Sequence, residues 1–74
     1  MIEKGDEVEI VSGMLGGRRG SVTWISRNLS AGGRVIHVRV EVPELIAQPE
    51  GPTRLEVLPY GEHELVAASA EVPA

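Results

Sequence analysis

The apolar residues of this 74-residue chain come in short alternating runs that glycine and proline interrupt, and this pattern constrains the fold more than any other feature. Val8 and Ile10, for example, alternate with Glu7 and Glu9. Residues two apart lie on one face of a strand, whereas an amphipathic helix needs spacings of three and four. The sequence therefore predicts strands at 6–11, 21–26, 34–42 and 53–59, and a short last strand through Leu65 and Val66.

The longest run assigns its two faces clearly. Its apolar face consists of Ile36, Val38, Val40 and Val42, and its polar face consists of His37, Arg39 and Glu41. Arg39 is expected to pair with a glutamate on a neighbouring strand, and His37 is expected to point outward. In the segment 53–59, Leu55 and Val57 alternate with Arg54, Glu56 and Leu58.

Five short strands without a helix predict an all-β fold, a small barrel that is closed or nearly closed. Closure removes the sheet edges that invite aggregation. The core must be aliphatic, because Trp24 and Tyr60 are the only aromatic residues, and the absence of cysteine excludes disulfides. One domain is predicted over residues 1–68, followed by a flexible C-terminal tail at 69–74.

Two segments leave alternatives open. Strict alternation places Val22 and Trp24 on one face and Ile25 on the other, and a bulge near Thr23 or Trp24 would bring Ile25 inward. Trp24 is then either an exposed stacking platform or a large core side chain. The second segment, 43–52, is rich in proline and forms a loop, whose residues 45–47 either tuck under the barrel or form an exposed contact patch.

Charge is segregated along the chain. Residues 1–11 carry a net charge of −3, residues 12–40 carry five arginines and no acid, and residues 41–74 carry a net charge of −6. The overall charge of −4 argues against a protein that coats nucleic acid without discrimination. The basic middle nevertheless predicts a surface for an anionic partner. The residues predicted to bind it are Arg18, Arg19, Trp24, Arg27 and Arg34.

The segment 4–25 carries a glycine pattern that resembles the KOW motif of ribosomal proteins and NusG-type elongation factors. The pattern runs Lys4-Gly5-Asp6, then Val8, Ile10, Gly13, Gly17, Gly20 and Val22. This resemblance implies a five-stranded SH3-like barrel that binds a partner without catalysis. Its hairpin is expected to be shaped by Gly5, Gly13, Gly17 and Gly20, since glycine adopts positive φ without steric cost.

A weaker similarity connects the chain with the type II dihydrofolate reductases, which are also SH3-like barrels of this length. It lies in "KGDEVEIVSG", "TWISRNLSAGG" and "LEVLP". The Val-Gln-Ile-Tyr run that lines the pore of those enzymes corresponds here to Leu55, Glu56, Val57 and Leu58, without the glutamine or the tyrosine. The sequence therefore predicts shared architecture without the reductase chemistry.

No other catalytic or metal-binding pattern is present. His37 and His63 have no nearby cysteine or other ligand partner, the glycine-rich segment lacks a P-loop lysine, and no cofactor is predicted. No run is long enough to span a membrane, and the N-terminus is too polar for a signal peptide, so a cytoplasmic protein is expected.

Three functional hypotheses follow. The first is a non-enzymatic module that presents its arginines to RNA, DNA or an acidic protein surface of the transcription or translation machinery. The second is a protein-interaction or self-assembling module, in which the acidic ends of one copy pair with the basic middle of another. The third, more remote, is a type II dihydrofolate reductase-like enzyme.

Overall fold

The computed structural model describes residues 2–27 and 32–68. They form one antiparallel sheet with the strand order β4-β3-β2-β1-β5, and a short 3-10 turn at Glu62–Glu64 joins the last two strands. The all-β prediction with five strands is confirmed. The fold is barrel-like, but the sheet is not closed, because β4 and β5 remain at its two ends. The strands are β1 (Glu7–Ile10), β2 (Arg19–Arg27), β3 (Arg34–Pro43), β4 (Thr53–Gly61) and β5 (Leu65–Ala67).

The core lies on the inner face of the sheet; among the described residues its buried members are all aliphatic, and the half-buried Tyr60 packs against them. Ile36, Val38 and Val40 of β3 are at most 2 % exposed, so the predicted inner face of the longest strand is confirmed. Full burial of such a side chain contributes about 1.5–3 kcal/mol to folding. The other buried apolar residues are Ile2, Val8, Ile10, Val22, Leu65 and Ala68.

A β-bulge in β2 decides which way its large side chains point. Val22 pairs with Val38, the register then shifts, and Trp24 pairs with His37. The bulge predicted near Thr23 is therefore confirmed, and Ile25 packs against the core as expected. The same shift turns Trp24 to the outer face, where it is 57 % exposed, so the interpretation of Trp24 as a core residue is wrong.

The glycines of the first hairpin serve two different purposes. Gly17 has a φ of 94°, the left-handed region that L side chains rarely adopt, and its N–H donates to the carbonyl of Ile10 at 2.7 Å. Gly5 and Gly13 also have positive φ. Gly20 instead allows close approach, because a Cβ there would lie 2.5 Å from the carbonyl oxygen of Arg39. The hairpin thus needs Gly17 for its turn and Gly20 for the contact between β2 and β3.

The phase of β4 places its apolar side chains on both faces. Leu58 and Tyr60 pair with Val38 and Ile36, so they lie on the core side. Leu55 and Val57 alternate with their polar neighbours as predicted, but they point outward and are 64 % and 51 % exposed. The last strand begins at Leu65 as expected, directly after the 3-10 turn.

The loop between β3 and β4 exposes its apolar residues. Leu45 is 56 % exposed and Ile46 is 77 % exposed, and Ala47 is exposed as well. Of the two alternatives for this segment, the structure therefore shows the exposed patch. Residues 69–74, for which the sequence predicts a flexible tail, lie outside the described residues.

Candidate interaction surface

The predicted partner-binding arginines lie at opposite ends of the β2–β3 ribbon. Arg18 and Arg19 stand where β2 begins, whereas Arg27 is its last residue and pairs in register with Arg34. At about 3.3 Å per residue, the eight steps from Arg19 to Arg27 span roughly 26 Å. The structure therefore brings the arginines together as two separate pairs and not as one continuous rim.

The first pair of arginines is engaged by the protein itself. Arg18 donates to the carbonyl oxygens of Glu41 at 3.4 Å and Pro49 at 3.2 Å, which attaches the 44–52 loop to the end of β3. Arg19 lies 3.8 Å from the carboxylate of Glu9, its partner in register. Arg18 thus has a structural role in holding the exposed loop.

At the other end of the ribbon, Arg34 forms a two-pronged ion pair with Glu62. Its Nε and Nη2 donate to the two carboxylate oxygens at 3.0 and 2.8 Å. These hydrogen bonds raise the pKa of Arg34 and lower the pKa of Glu62 below its ordinary value. Arg34 is therefore neutralised by its own chain, while Arg27 is exposed at the end of β2.

A second acidic residue of the 3-10 turn secures the end of the sheet. Glu64 accepts from the backbone N–H of Gly61 at 2.9 Å and from the hydroxyl of Ser12 at 3.1 Å. These two hydrogen bonds lower the pKa of Glu64. The contact joins the first hairpin to the segment before β5.

Trp24 stands on the outer face of the sheet, beside a cation. The ammonium group of Lys4 lies 5.2 Å from the centre of the indole ring, within the range of a cation–π contact. Next to it, His37 receives or donates a hydrogen bond of 3.1 Å at Nε2 with the hydroxyl of Ser26. His37 lies on the outer face as predicted, and it is half-buried.

On the outer face, polar side chains of β3 lie between Trp24 of β2 and the apolar residues of β4. His37 pairs with Pro59, Arg39 with Val57 and Glu41 with Leu55. Since neighbouring strands are about 4.8 Å apart, Trp24 lies only about 10 Å from Pro59. We call this surface the outer patch. It consists of Trp24, His37, Arg39, Leu55, Val57 and Pro59.

Arg39 of the outer patch does not face a glutamate directly. The residues opposite it are Ser21 on β2 and Val57 on β4, so the expected cross-strand pairing with a glutamate is wrong. The cause is the register, which places the acids of β1 opposite Ser21 and Arg19. Arg39 is exposed and adds positive charge to the middle of the outer patch.

The hydrogen bonds of β2 show which way the backbone of β3 points. Val22 donates to the carbonyl of Asp6 and accepts from the N–H of Gly5, both at 2.9 Å, so its backbone groups face β1. Backbone groups of successive residues alternate in direction, and those of Ser21 therefore face β3. Ser21 and Arg39 therefore form a hydrogen-bonded pair. The backbone N–H and C=O of Arg39 point toward β2 and away from β4.

It follows that the backbone groups of Thr53, Leu55, Val57 and Pro59 point away from β3. The pairs of Arg39 with Val57 and of His37 with Pro59 belong to the non-hydrogen-bonded set, and so does the pair of Pro43 with Thr53. The two prolines agree with this assignment, because proline has no N–H to donate. No described strand lies on that side of β4. We call this side the free edge.

The sequence pattern missed two exposed apolar residues of the outer patch, Leu55 and Val57. A signal for them was present, because the segment 55–60 contains apolar residues in both phases of the alternation. A strand that is apolar on both faces is typical of a strand covered on both faces. A second apolar surface, formed by Met14 and Ile46 (each 77 % exposed), lies where the hairpin meets the 44–52 loop.

No protein-family model, curated protein or solved structure matches the chain, so its resemblances to KOW modules and to type II reductases stay predictions. Within residues 2–27 and 32–68, no three histidine, aspartate or glutamate side chains are grouped to hold a metal ion. Nor is any helix in this part of the chain long and apolar enough to cross a membrane.

Proposed function

We propose that the chain is a self-assembling protein-interaction module, which contacts a further copy of itself through the outer patch and β4. The observation that carries the proposal is the two-sided apolar character of β4. Leu58 and Tyr60 pack on the core, while Leu55 and Val57 are more than half exposed. A contiguous exposed apolar surface is typical of a protein–protein contact site.

The chemistry of the outer patch suits a protein contact. Aromatic residues and arginine are enriched at protein interfaces, and the patch holds both Trp24 and Arg39. Its apolar members release water on association, at about 25 cal/mol for each Å² of apolar surface buried. The intrachain neutralisation of Arg34 by Glu62 also supports this hypothesis over a single arginine rim for an anionic ligand.

Sedimentation equilibrium over a range of protein concentrations tests the proposal. The wild-type chain is expected to associate, and the double variant Leu55→Thr/Val57→Thr is expected to remain monomeric. Threonine favours strands and keeps the β-branched shape of Val57, while it shortens Leu55 and places a hydroxyl in the contact at both positions. Val66→Thr is the matched control, because Val66 is also an outward strand residue, 39 % exposed, but belongs to β5.

A wild-type chain that stays monomeric up to millimolar concentration would refute self-assembly. Equal association of the double variant and the wild type would show that another surface makes the contact. Circular dichroism of each variant verifies that the strands persist. These results are read directly from the molar mass and need no knowledge of a further partner.

A second candidate function is the binding of an anionic partner, such as single-stranded nucleic acid, and the exposed Trp24 favours it. The indole has Lys4 over its ring and shares the outer patch with Arg39, a combination of stacking surface and positive charge. Titration with short RNA and with duplex DNA, followed by Trp24 fluorescence, tests it. Binding is expected to weaken in Lys4→Ala and as salt rises. An unchanged isotherm in Arg18→Ala/Arg19→Ala would exclude the hairpin as the site.

A further inference from the structure

We infer that two copies of the chain join edge to edge through β4, related by a two-fold axis at Leu55. In this register Arg54 of each copy lies opposite Glu56 of the other, and the two sheets become one. The inference rests on the proposed self-assembly and specifies its geometry. It follows from three properties of the segment 53–57: its free backbone groups, its charges and its flanking prolines.

The free edge offers a self-complementary set of backbone groups. Thr53, Leu55 and Val57 each direct one N–H and one C=O away from β3. With the axis at Leu55, the two copies of Leu55 exchange two hydrogen bonds, and each Thr53 exchanges two with Val57 of the other copy. Six hydrogen bonds then use every N–H and C=O that this segment presents on both copies.

The charges of β4 match in the same register. Arg54 and Glu56 form an ion pair within one chain, and both side chains are partly exposed. Across the axis, each Arg54 meets the Glu56 of the other copy, and directly opposed residues have Cβ atoms about 4.5–5.5 Å apart. The four side chains form a ring of alternating sign, in which every neighbour along and across the strands is of opposite charge.

Neighbouring registers lack this match. Moving the axis to Arg54 or to Glu56 places two like charges directly opposite each other, which destabilises a strand pair. Moving it to Val57 places Pro59 opposite Leu55, and proline cannot supply the required N–H. Only the axis at Leu55 combines opposite charges with a full set of donors. The prolines at 52 and 59 limit the pairing to the short segment between them.

Edge pairing also continues the outer patch across the axis. Leu55 of one copy lies beside Leu55 of the other, and Val57 lies beside Thr53. These side chains are on the outer face, and in the single chain Leu55 is 64 % exposed and Val57 is 51 % exposed. Their contact removes apolar surface from water and adds to the hydrogen bonds and charges of the pairing.

Charge reversal followed by sedimentation equilibrium tests the register. Arg54→Glu places two pairs of acids across the axis, and Glu56→Arg places two pairs of arginines there. Each single variant is expected to raise the dissociation constant of the dimer about tenfold or more. The double variant Arg54→Glu/Glu56→Arg restores opposite charges and is expected to associate like the wild type.

Mixing the two single variants separates contacts between chains from contacts within one chain. Neither variant can repair its own broken pair, but a mixed dimer places two acids opposite two arginines. The mixture is therefore expected to associate more tightly than either variant alone. A mixture that associates no better than its components overturns the edge pairing.

The outcomes also separate the inference from the proposed function. In one outcome, the wild type associates, Leu55→Thr/Val57→Thr does not, and the charge variants associate like the wild type. The outer patch then makes the contact in another arrangement, and the edge pairing is wrong. If the wild type never associates, the proposed function fails as well. If Arg54→Glu has no effect while Glu56→Gln strengthens association, two like charges oppose each other at position 56 and the axis lies at Glu56 instead.

Discussion

Among the described glycines, Gly20 is the position where an added methyl group makes the shortest contact, so Gly20→Ala is expected to destabilise the fold strongly. In the structure, a Cβ at position 20 would lie 2.5 Å from the carbonyl oxygen of Arg39 and 2.7 Å from Cγ1 of Val38. Ordinary contacts between carbon atoms are about 3.5–4.0 Å. Strand β2 would have to move away from β3 by about 1 Å, at the point where Val22 and Val40 are buried.

The expected loss is large compared with the stability of so small a domain. Overpacking of a core costs about 1–3 kcal/mol, and the upper end applies here because one of the contacts is a fixed backbone carbonyl. A chain of 74 residues is stable by roughly 4–11 kcal/mol at about 0.05–0.15 kcal/mol per residue. Gly20→Ala should therefore remove about 3 kcal/mol from the free energy of unfolding.

Urea unfolding followed by circular dichroism measures this loss. With a slope of about 1 kcal/mol per molar urea, the midpoint of Gly20→Ala should fall by about 3 M. Gly33→Ala is the matched control, because nothing lies within 4 Å of its Cβ position and its φ is not positive. Its midpoint should stay equal or rise slightly. Equal midpoints for the two variants would refute the close approach of β2 and β3 at Gly20.

Two further predictions concern the ion pair and the loop contact. The carboxyl pKa of Glu62 is lowered by Arg34, so its contribution to stability is complete above the ordinary pKa of 4.5 and is lost as pH falls through the lower folded value. A carbon-detected NMR titration should show this low pKa return toward 4.5 in Arg34→Gln, and an unchanged pKa would contradict the pairing. Arg18→Met should release the 44–52 loop, because it removes both hydrogen bonds to backbone carbonyls. Thermolysin should then cleave near Ile46 faster than in Arg39→Met, and equal cleavage rates would show that Arg18 does not hold the loop.

The strands and the inner face of the longest strand could be predicted because a strand that is buried on one face alternates apolar and polar residues along its sequence. Ile36, Val38 and Val40 are apolar and alternate with polar residues, so only one assignment of faces buries them. The bulge near Thr23 was predictable for the same reason. Without it, Ile25 would have pointed away from the core.

The orientation of Trp24 and the phase of β4 could not be predicted in this way. A bulge can turn either flanking residue inward, and volume alone favoured Trp24, although the structure buries the smaller Ile25. In β4, apolar residues occupy both phases, so alternation does not say which set faces the core. The pairing of Leu58 with Val38 decides it, and a register of that kind arises only from the whole sheet.

The arginines show why charge along a chain does not map onto a surface. Arg19 and Arg27 are eight residues apart in the sequence. A turn between them would bring the two side chains together, whereas a strand keeps them roughly 26 Å apart. The acids that neutralise part of the basic segment come from distant positions, such as Glu62 opposite Arg34. Segregation in the sequence therefore predicted a basic rim that the antiparallel sheet divides.

Amide hydrogen exchange at Leu55, measured at several protein concentrations, tests most directly whether β4 offers its free edge to a second copy. Its N–H points away from β3, so it should exchange rapidly in dilute solution and become protected as the dimer forms. The N–H of Leu58, which faces β3, should be protected at every concentration. If Leu55 stays unprotected in solutions where the chain sediments as a dimer, the edge is not used and the account of this surface is wrong.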